Sequence, residues 1–469
     1  MADQEMAQMA HLMRRAGFGA GRDELEARVA KGYEETVEEL LDPEGHGVPE
    51  IDLDILLRTH PYLESGIGPP AATDHHVYYL CTNPRVMQEK IALLWHMVFA
   101  TGVAKIDNPL EMVRQINMFR ELGLGSFQEL VVEVSKNPAM IYWLDNNYNH
   151  KDEPNENWGL ELLELFTMGQ GNYTEKDVFE CARAFTGWTI APKPPSGGIG
   201  GRHTWDFRYI PEDHDDGEKE FLGHKGRFNG EDVIDIIVRQ PATARFIARH
   251  LYNFFVADEV QVAGWLDTPP RDPVAVNIIA DALVSSGYMI KDTLRVIFNS
   301  DFFKEARYQR VRSPAEVIAG TMRLVGDFVY PRPGLEMVGF EASYMGQFLC
   351  DPPSVEGWHY GAEWIDSGAL VKRINFCADA VSNIDYPGIQ AIIRRVEAMG
   401  TLSPEVLVES CLDLLGPLEV VEETRDELLA MANKNGELRW DTEKERDASA
   451  QRVGDMLALV TSTKEYQFA

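Results

Sequence analysis

The spacing of apolar residues constrains this chain most, because it follows the period of a helix over most of the length. Residues 22–41 carry Leu and Val at helical intervals around Gly32, which predicts two short helices joined by a glycine turn. Asn83 and Pro84 predict the start of a buried helix that reaches about residue 100. Further helices are expected over 109–122, 126–136, 155–168, 175–187, 230–256, 274–285, 291–299 and 313–325.

Two segments depart from the helical pattern. Residues 191–201 are too rich in Pro and Gly for regular structure, and rings then alternate with polar residues over 203–209, as in a strand. Residues 219–223 are the expected partner, so 203–223 should form a β-hairpin. A second irregular stretch, 351–368, combines Pro, Gly and Trp. The sequence therefore predicts a mainly α, multi-helix globular protein with a small β-hairpin insertion and two Pro/Gly/Trp-rich loops.

These boundaries divide the chain into three parts. An N-terminal helical part (1–190) contains the Trp-His and Asn-Glu-Asn helices, residues 191–229 hold the irregular segment and the hairpin, and a C-terminal helical part follows (230–469). A chain of 469 residues can bury a sizeable core. We expect the three parts to form one compact unit.

Charge and cysteine content exclude several classes of protein. The chain has 75 acidic and 44 basic residues and a net charge of −31, which disfavours nucleic acids and anionic membranes as partners. The five cysteines are far apart and form no Cys-x-x-Cys pair, so they are expected to be small buried apolar residues. The N-terminus lacks the features of a signal peptide, and the longest apolar stretch, 91–104, is shorter than the roughly 20 residues of a membrane span. The prediction is a soluble cytoplasmic protein.

The helix that opens at Asn155 carries the clearest candidate site. Asn157, Glu161 and Glu164 follow one another at i, i+4 and i+7, so their side chains share one face. Two carboxylates in this arrangement could bind a divalent metal, act as acid and base, or form a solvated face. Because the helix is otherwise apolar, we predict that Glu161 is buried and partnered. Asn155 and Asn157 would then contact substrate or support the groups that bind the metal.

His96 is a third metal-ligand candidate beside Glu161 and Glu164. It lies in the apolar part of the helix from about 84 to 100 and shares a face with Glu89. The alternative is a core histidine, since the Glu-x-x-His signature of dinuclear helical sites is absent.

The turn His214-Asp215-Asp216 places an imidazole beside two carboxylates and close to Lys219. We predict that His214 is an acid or base oriented by Asp215, within about 12 Å of Glu161 and Glu164. An acidic turn without chemistry would have the same composition.

Tryptophans in the second irregular stretch are candidate substrate contacts. Trp358 and Trp364 could line a pocket for a flat or sugar-like ligand, or could pack the loop onto the core. Signatures for dinucleotide binding, phosphate loops, nucleophile elbows and His-Glu-x-x-His metal sites are absent from the sequence.

The assembled motifs resemble a bacterial family catalogued as domain of unknown function 1800. The resemblance covers essentially the whole chain and is carried by HLMRRAGFGAGRDEL (11–25), KIALLWHMVFAT (90–101), NENWGLELLELFTMGQGNYTEKDVFECARAFTGW (155–188), RSPAEVIAG (312–320), YMGQFLCDPPSVEGWHYGAEW (344–364) and LALVTSTKEYQ (457–467). It implies a sulfatase-like protein partner but no reaction. The family usually has Arg where this chain has Leu160, and an Asn-rich motif where it has Met97 and Val98. If that Arg neutralises a carboxylate, Glu161 here requires another partner or a metal.

Two hypotheses of function follow. The first is an enzyme in which Glu161, Glu164, His96, His214 and Asp215 surround a divalent metal or an acid–base pocket. The second is a non-catalytic binding or scaffold protein whose Trp-rich loop holds a partner, a small molecule or a glycan.

Overall fold

The computed structural model describes residues 2–65, 70–191, 204–260, 268–328 and 331–468. Helices dominate these ranges, as predicted. The helices are α1 (Ala2–Ala16), α2 (Arg22–Lys31), α3 (Tyr33–Leu41), α4 (Leu53–Thr59), α5 (Tyr62–Ser65), α6 (Pro70–Thr82), α7 (Val86–Val98), α8 (Val103–Ile106), α9 (Pro109–Leu122), α10 (Phe127–Lys136), α11 (Pro138–Trp143), α12 (Asn157–Glu161), α13 (Glu175–Ala184), α14 (Gly230–Val238), α15 (Pro241–Phe255), α16 (Pro273–Ser285), α17 (Ile290–Asn299), α18 (Asp301–Lys304), α19 (Pro314–Val325), α20 (Leu335–Tyr344), α21 (Ser367–Ser382), α22 (Pro387–Ala398), α23 (Pro404–Leu414), α24 (Glu422–Asn433) and α25 (Glu443–Thr461).

The helix boundaries follow the local signals in the sequence. Gly32 separates α2 from α3 with a φ of 108°, a conformation that glycine adopts without steric cost. At the start of α13, the hydroxyl of Thr174 accepts from the N–H of Asp177, whose carboxylate accepts from the N–H of Thr174. The glycine break at Gly32 is confirmed, and α13 begins at residue 175 as predicted.

Two small antiparallel sheets interrupt the helices. Strand β1 (Trp188–Ala191) pairs with β2 (Asp206–Tyr209), with Trp188 opposite Tyr209. Strand β3 (Lys219–Phe221) pairs with β4 (His224–Gly226). The predicted strand at 203–209 is confirmed over 206–209, whereas residue 203 and the Pro/Gly segment 192–203 lie outside the described residues.

The predicted pairing of that strand with residues 219–223 is wrong. Leu222 and Gly223 both have positive φ, 45° and 81°, as the two central residues of a tight hairpin turn require. This turn folds β3 onto the residues that follow it, while β2 pairs with β1, which precedes it. Leu is unusual at such a turn position, so no turn signal in the sequence predicts this hairpin.

The core joins residues from the N-terminal and C-terminal helical parts. One continuous cluster of buried apolar side chains extends from Met9 to Tyr466, and a smaller cluster surrounds Trp205. All five cysteines are buried and free, as predicted. Within the described ranges, no helix has the length and apolar character needed to cross a membrane.

A buried ionic cluster connects α7 with α19. Lys90 and Arg310 both bind the carboxylate of Glu316, with Arg310 Nη1 lying 2.7 Å from each oxygen. The same carboxylate accepts from the N–H of Ser313 at 2.7 Å and so caps α19. Lys90 also donates to the carbonyl of Gly17 at 2.9 Å. Two buried cations thus depend on one carboxylate.

We expect Glu316→Ala to lower the free energy of unfolding by about 3 to 5 kcal/mol, because it leaves two buried cations unpaired. Burial alone would raise the pKa of Glu316, but Arg310 and Lys90 hold it well below its ordinary value of 4.5. The contribution is therefore complete above pH 4.5 and is lost as the pH falls further. Urea unfolding at several pH values measures it.

Glu445→Ala is the matched control, since Glu445 forms the same capping box with Thr442 at the exposed start of α25. Glu445→Ala should lower the free energy of unfolding far less than Glu316→Ala, because no buried cation depends on the Glu445 carboxylate. Equal losses in the two variants would contradict this account of Glu316.

Candidate functional site

The amide-rich loop before α12 is held by its own asparagines. Asn149 donates to the carbonyl of Ala182 at 2.8 Å and accepts from the N–H of Asn155 at 2.9 Å. The side-chain oxygen of Asn155 in turn accepts from the N–H of Asn157 at 3.0 Å. This chain of bonds fixes the start of α12 against α13. The contacts with substrate that we predict for Asn155 and Asn157 stay predictions.

The helix widens immediately after Glu161. Residues Leu162–Thr167 form a π-helical turn, in which the hydroxyl of Thr167 donates to the carbonyl of Leu162 at 2.5 Å. The N–H groups of Met168 and Gly169 both donate to the carbonyl of Leu163. Sequence periodicity predicted a continuous α-helix here, because one π-turn leaves the apolar pattern nearly unchanged. Such turns occur frequently at functional sites.

Glu164 is oriented by two polar neighbours. Its carboxylate accepts from the hydroxyl of Tyr173 and from Gln170 Nε2, the latter at 2.5 Å. Both donors follow the turn that ends the π segment. Glu164 is half-buried, so these bonds hold one carboxylate in a fixed direction beside Glu161.

Glu161 is half-buried and has no hydrogen bond or ion pair with the residues that the structure describes. We predict a bonded or metal-bound carboxylate, but no cationic side chain among the described residues binds it, and Leu160 beside it is 37% exposed. Burial, followed by the charges of Glu164 and Glu356, raises the pKa of Glu161 to about 7. This carboxyl group therefore exchanges its proton near neutral pH.

Glu356, which sequence reasoning missed, comes from the Trp-rich loop 351–368. Gly357 beside it has a φ of 82°, and a Cβ atom there would lie 2.5 Å from the carbonyl oxygen of Met97. Only glycine allows the loop to lie so close to the end of α7. Glu356 is distant from Glu161 in sequence, and no local pattern marks it.

His96 belongs to the core rather than to the carboxylate cluster. Its ring is fully buried, lies edge-on to Trp358 at 5.3 Å, and has no hydrogen bond within the described part of the chain. Burial lowers the pKa of His96 to about 3, with no contribution from either glutamate. Glu89, predicted on the same face, is bound by Arg120 at 2.8 and 2.9 Å.

The described residues do not bring three of the predicted metal ligands together. Over the described ranges, no group of three or more His, Cys, Asp and Glu side chains is placed to hold a metal ion. The set of Glu161, Glu164 and His96 is therefore not brought together as three ligands. A metal bound by Glu161 and Glu164 stays a prediction.

The turn at His214 is fixed by contacts of its own. Asp215 accepts from Arg183 Nε and Nη2 at 2.6 and 3.2 Å, and these bonds lower its pKa. His214 is buried, and its Nδ1 lies 2.9 Å from the carbonyl oxygen of Thr186. Thr186, rather than Asp215, orients the imidazole. Catalysis by His214 and its proximity to Glu161 stay predictions.

The tryptophans predicted to contact a ligand are buried. Trp358 and Trp364 are each 4% exposed. Their burial favours the alternative in which these rings pack the loop onto the core. Contact of either ring with a ligand stays a prediction. Glu356, an exposed residue of the same loop, is the one whose charge raises the pKa of Glu161.

Fold and site together define a helical protein with a half-buried carboxyl group, Glu161, on which two other carboxylates act electrostatically. The chain belongs to the family described as "Protein of unknown function (DUF1800)", whose model matches residues 11–468. The chain matches no curated protein and no solved structure.

We expect Glu161→Gln to stabilise the protein increasingly as the pH rises. A carboxyl group with a raised pKa has no destabilising effect below its ordinary value of 4.5 and its full effect above about 7. The gain in the free energy of unfolding should reach about 1 kcal/mol at pH 8.5, a value reduced because solvent screens the charge of this half-buried group. Thermal and urea unfolding from pH 4 to 9 measure it.

Glu121→Gln, at an exposed position of α9, is the control and should show no comparable rise. A difference between Glu161→Gln and the unmodified protein that is constant over this pH range would contradict the assignment.

Proposed function

We propose that this protein is an acid–base enzyme in which the Glu161 carboxyl group donates a proton to a substrate or accepts one from it. The observation that carries the proposal is the surroundings of the Glu161 carboxyl group, which is half-buried, unbonded within the described structure and within electrostatic reach of Glu164 and Glu356. General acids and bases work best when their pKa lies near the operating pH. A pKa of about 7 meets that condition.

Glu164 has the complementary role in this proposal. Tyr173 and Gln170 hold its carboxylate in one direction, so it can orient a substrate or stabilise positive charge that develops there. Two carboxyl groups whose surroundings differ in this way are typical of acid–base sites. The π-turn between the two glutamates sets their relative direction.

Electrostatics limits the substrate that such a site accepts. Three carboxyl groups on a protein with a net charge of −31 disfavour an anionic substrate. We propose a neutral or cationic polar small molecule, such as a glycoside or an amine. Hydrolysis is the reaction class that needs no group beyond a proton donor, a carboxylate and water.

Carboxyl labelling tests the protonation of Glu161 without a known substrate. A small diazoamide esterifies protonated carboxyl groups, so at pH 6.5 Glu161 should be labelled before the exposed, ionised carboxylates. Peptide mass spectrometry locates the ester. In Glu164→Gln the labelling of Glu161 should decrease, because removing a neighbouring negative charge lowers its pKa.

Turnover of neutral nitrophenyl glycosides, of nitroanilides and of anionic nitrophenyl phosphate or sulfate then tests the activity. We expect turnover of neutral or cationic compounds only, with a rate that changes near pH 7, and a loss of about 100-fold or more in Glu161→Gln. Glu121→Gln should keep full activity. An active protein that is unaffected by Glu161→Gln, or by esterification of Glu161, would show that the proposal is wrong.

A further inference from the structure

A cavity of about 510 Å³ lies away from Glu161, where the N-terminal motif meets α19 and the C-terminal end of the chain. Its lining includes Phe18, Gly19 and Gly21 after α1, Gly320 on α19, and Tyr466 and Phe468. Cavities of this size accommodate small organic molecules. Neither Glu161 nor Glu164 lines it, so it is independent of the site proposed above.

Three arginines in the lining have no carboxylate partner among the described residues: Arg14, Arg312 and Arg323. Arg14 Nη1 donates to the carbonyl of Gly416 at 2.6 Å, while its Nε is buried and unbonded. Arg323 donates to two backbone carbonyls, each at 2.7 Å. Arg312 likewise donates to backbone carbonyls, at 3.1 and 3.4 Å. Backbone carbonyls and an aromatic ring beneath each guanidinium group orient these arginines. Glu24 and Glu89 act on Arg323 electrostatically, but neither forms an ion pair with it.

The acidic residues of the lining are engaged by other arginines. Glu24 and Glu39 bind Arg28 at 2.8 and 3.1 Å. Asp327 binds Arg332, which lies outside the lining. The three unpaired arginines therefore give this cavity local positive charge in a chain whose net charge is −31.

Glycines make room for these guanidinium groups. A Cβ atom on Gly320 would lie 2.3 Å from Arg312 Nη2, and one on Gly416 would lie 3.3 Å from Arg14 Nη1. Gly416 also has a φ of 97°, which a larger residue would adopt only with strain. The absence of side chains at Gly320 and Gly416 thus leaves space for the guanidinium groups of Arg312 and Arg14.

We propose that this cavity is a binding site for a small organic anion. Arg14, Arg312 and Arg323 would hold a carboxylate, phosphate or sulfate group, because guanidinium groups bind such oxygens in a planar, charge-assisted manner. The apolar part of the ligand would lie against Phe18 and Phe468. Partly buried cations without carboxylates are costly in the empty protein, and an anion removes that cost.

Calorimetric titration at constant ionic strength tests the proposal with four probes: phenyl phosphate, benzoate, inorganic phosphate and benzyl alcohol. We expect phenyl phosphate or benzoate to bind the full-length protein, and benzyl alcohol to bind at least about tenfold more weakly, which corresponds to one lost charge-assisted hydrogen bond. The ratio of phenyl phosphate to benzoate affinity identifies the headgroup.

Two substitutions at Gly21 distinguish an effect of charge on anion binding from an effect on folding. Gly21 precedes α2 as its N-cap with ordinary extended backbone (φ −71°), and a Cβ atom there meets nothing within 4 Å. Asp and Asn are both better N-caps than Gly, so both variants should fold. Gly21→Asp adds a negative charge to the cavity wall and should weaken anion binding about tenfold, whereas Gly21→Asn should leave it within about twofold.

Arg14→Gln should weaken binding to a similar degree, and Arg58→Gln, at an exposed position on α4, should not. The proposal is overturned if neither anion binds, if benzyl alcohol binds as tightly as the anions, or if Gly21→Asp and Gly21→Asn bind equally. Binding of inorganic phosphate that persists unchanged in Arg14→Gln would place the anion elsewhere.

Discussion

The carboxylate of Glu316 is the interaction on which much of this structure depends. It forms buried ion pairs with both Lys90 and Arg310 and also caps α19. Lys90 extends the connection to the carbonyl of Gly17, at the N-terminal motif. Because a buried cation without a counter-ion is severely destabilising, α7, α19 and the turn after α1 must assemble around this one group. The start of α19 also positions Arg312, because the guanidinium group of Arg312 donates to the backbone carbonyl of Glu316.

Charge is compensated very unevenly across the molecule. At Glu316 every charge has a partner, whereas at Glu161 a carboxyl group faces two others and no cation among the described residues. At the cavity beside α1 the imbalance has the opposite sign, with three arginines that backbone carbonyls and aromatic rings orient and that form no ion pair with the described residues. Uncompensated buried charge reduces stability, and a ligand of opposite charge at either site would relieve that cost. The two sites would accept molecules of opposite charge preference.

The loop 351–368 shows how core packing positions a polar group. Trp358 and Trp364 are buried, and Gly357 lies against the end of α7. These apolar contacts, together with the glycine, bring Glu356 within electrostatic reach of Glu161, about 195 positions earlier in the chain. The tryptophans therefore anchor the loop that carries Glu356. The π-turn after Glu161 acts in the same indirect way on Glu164.

Local chemistry let the sequence alone determine the helices, the glycine break at Gly32 and the capping box at Thr174, because each depends on residues within one or two turns. The sequence also singled out Glu161 and Glu164 by their shared face. Tertiary structure decided the rest. The pairing of the strands depends on the unusual conformation of Leu222. The pKa of Glu161 depends in part on the charge of Glu356, which is distant in sequence. The arginine-lined cavity forms only where segments from both ends of the chain meet. Burial and the approach of distant charges are properties of packing, and no local pattern of residues encodes them.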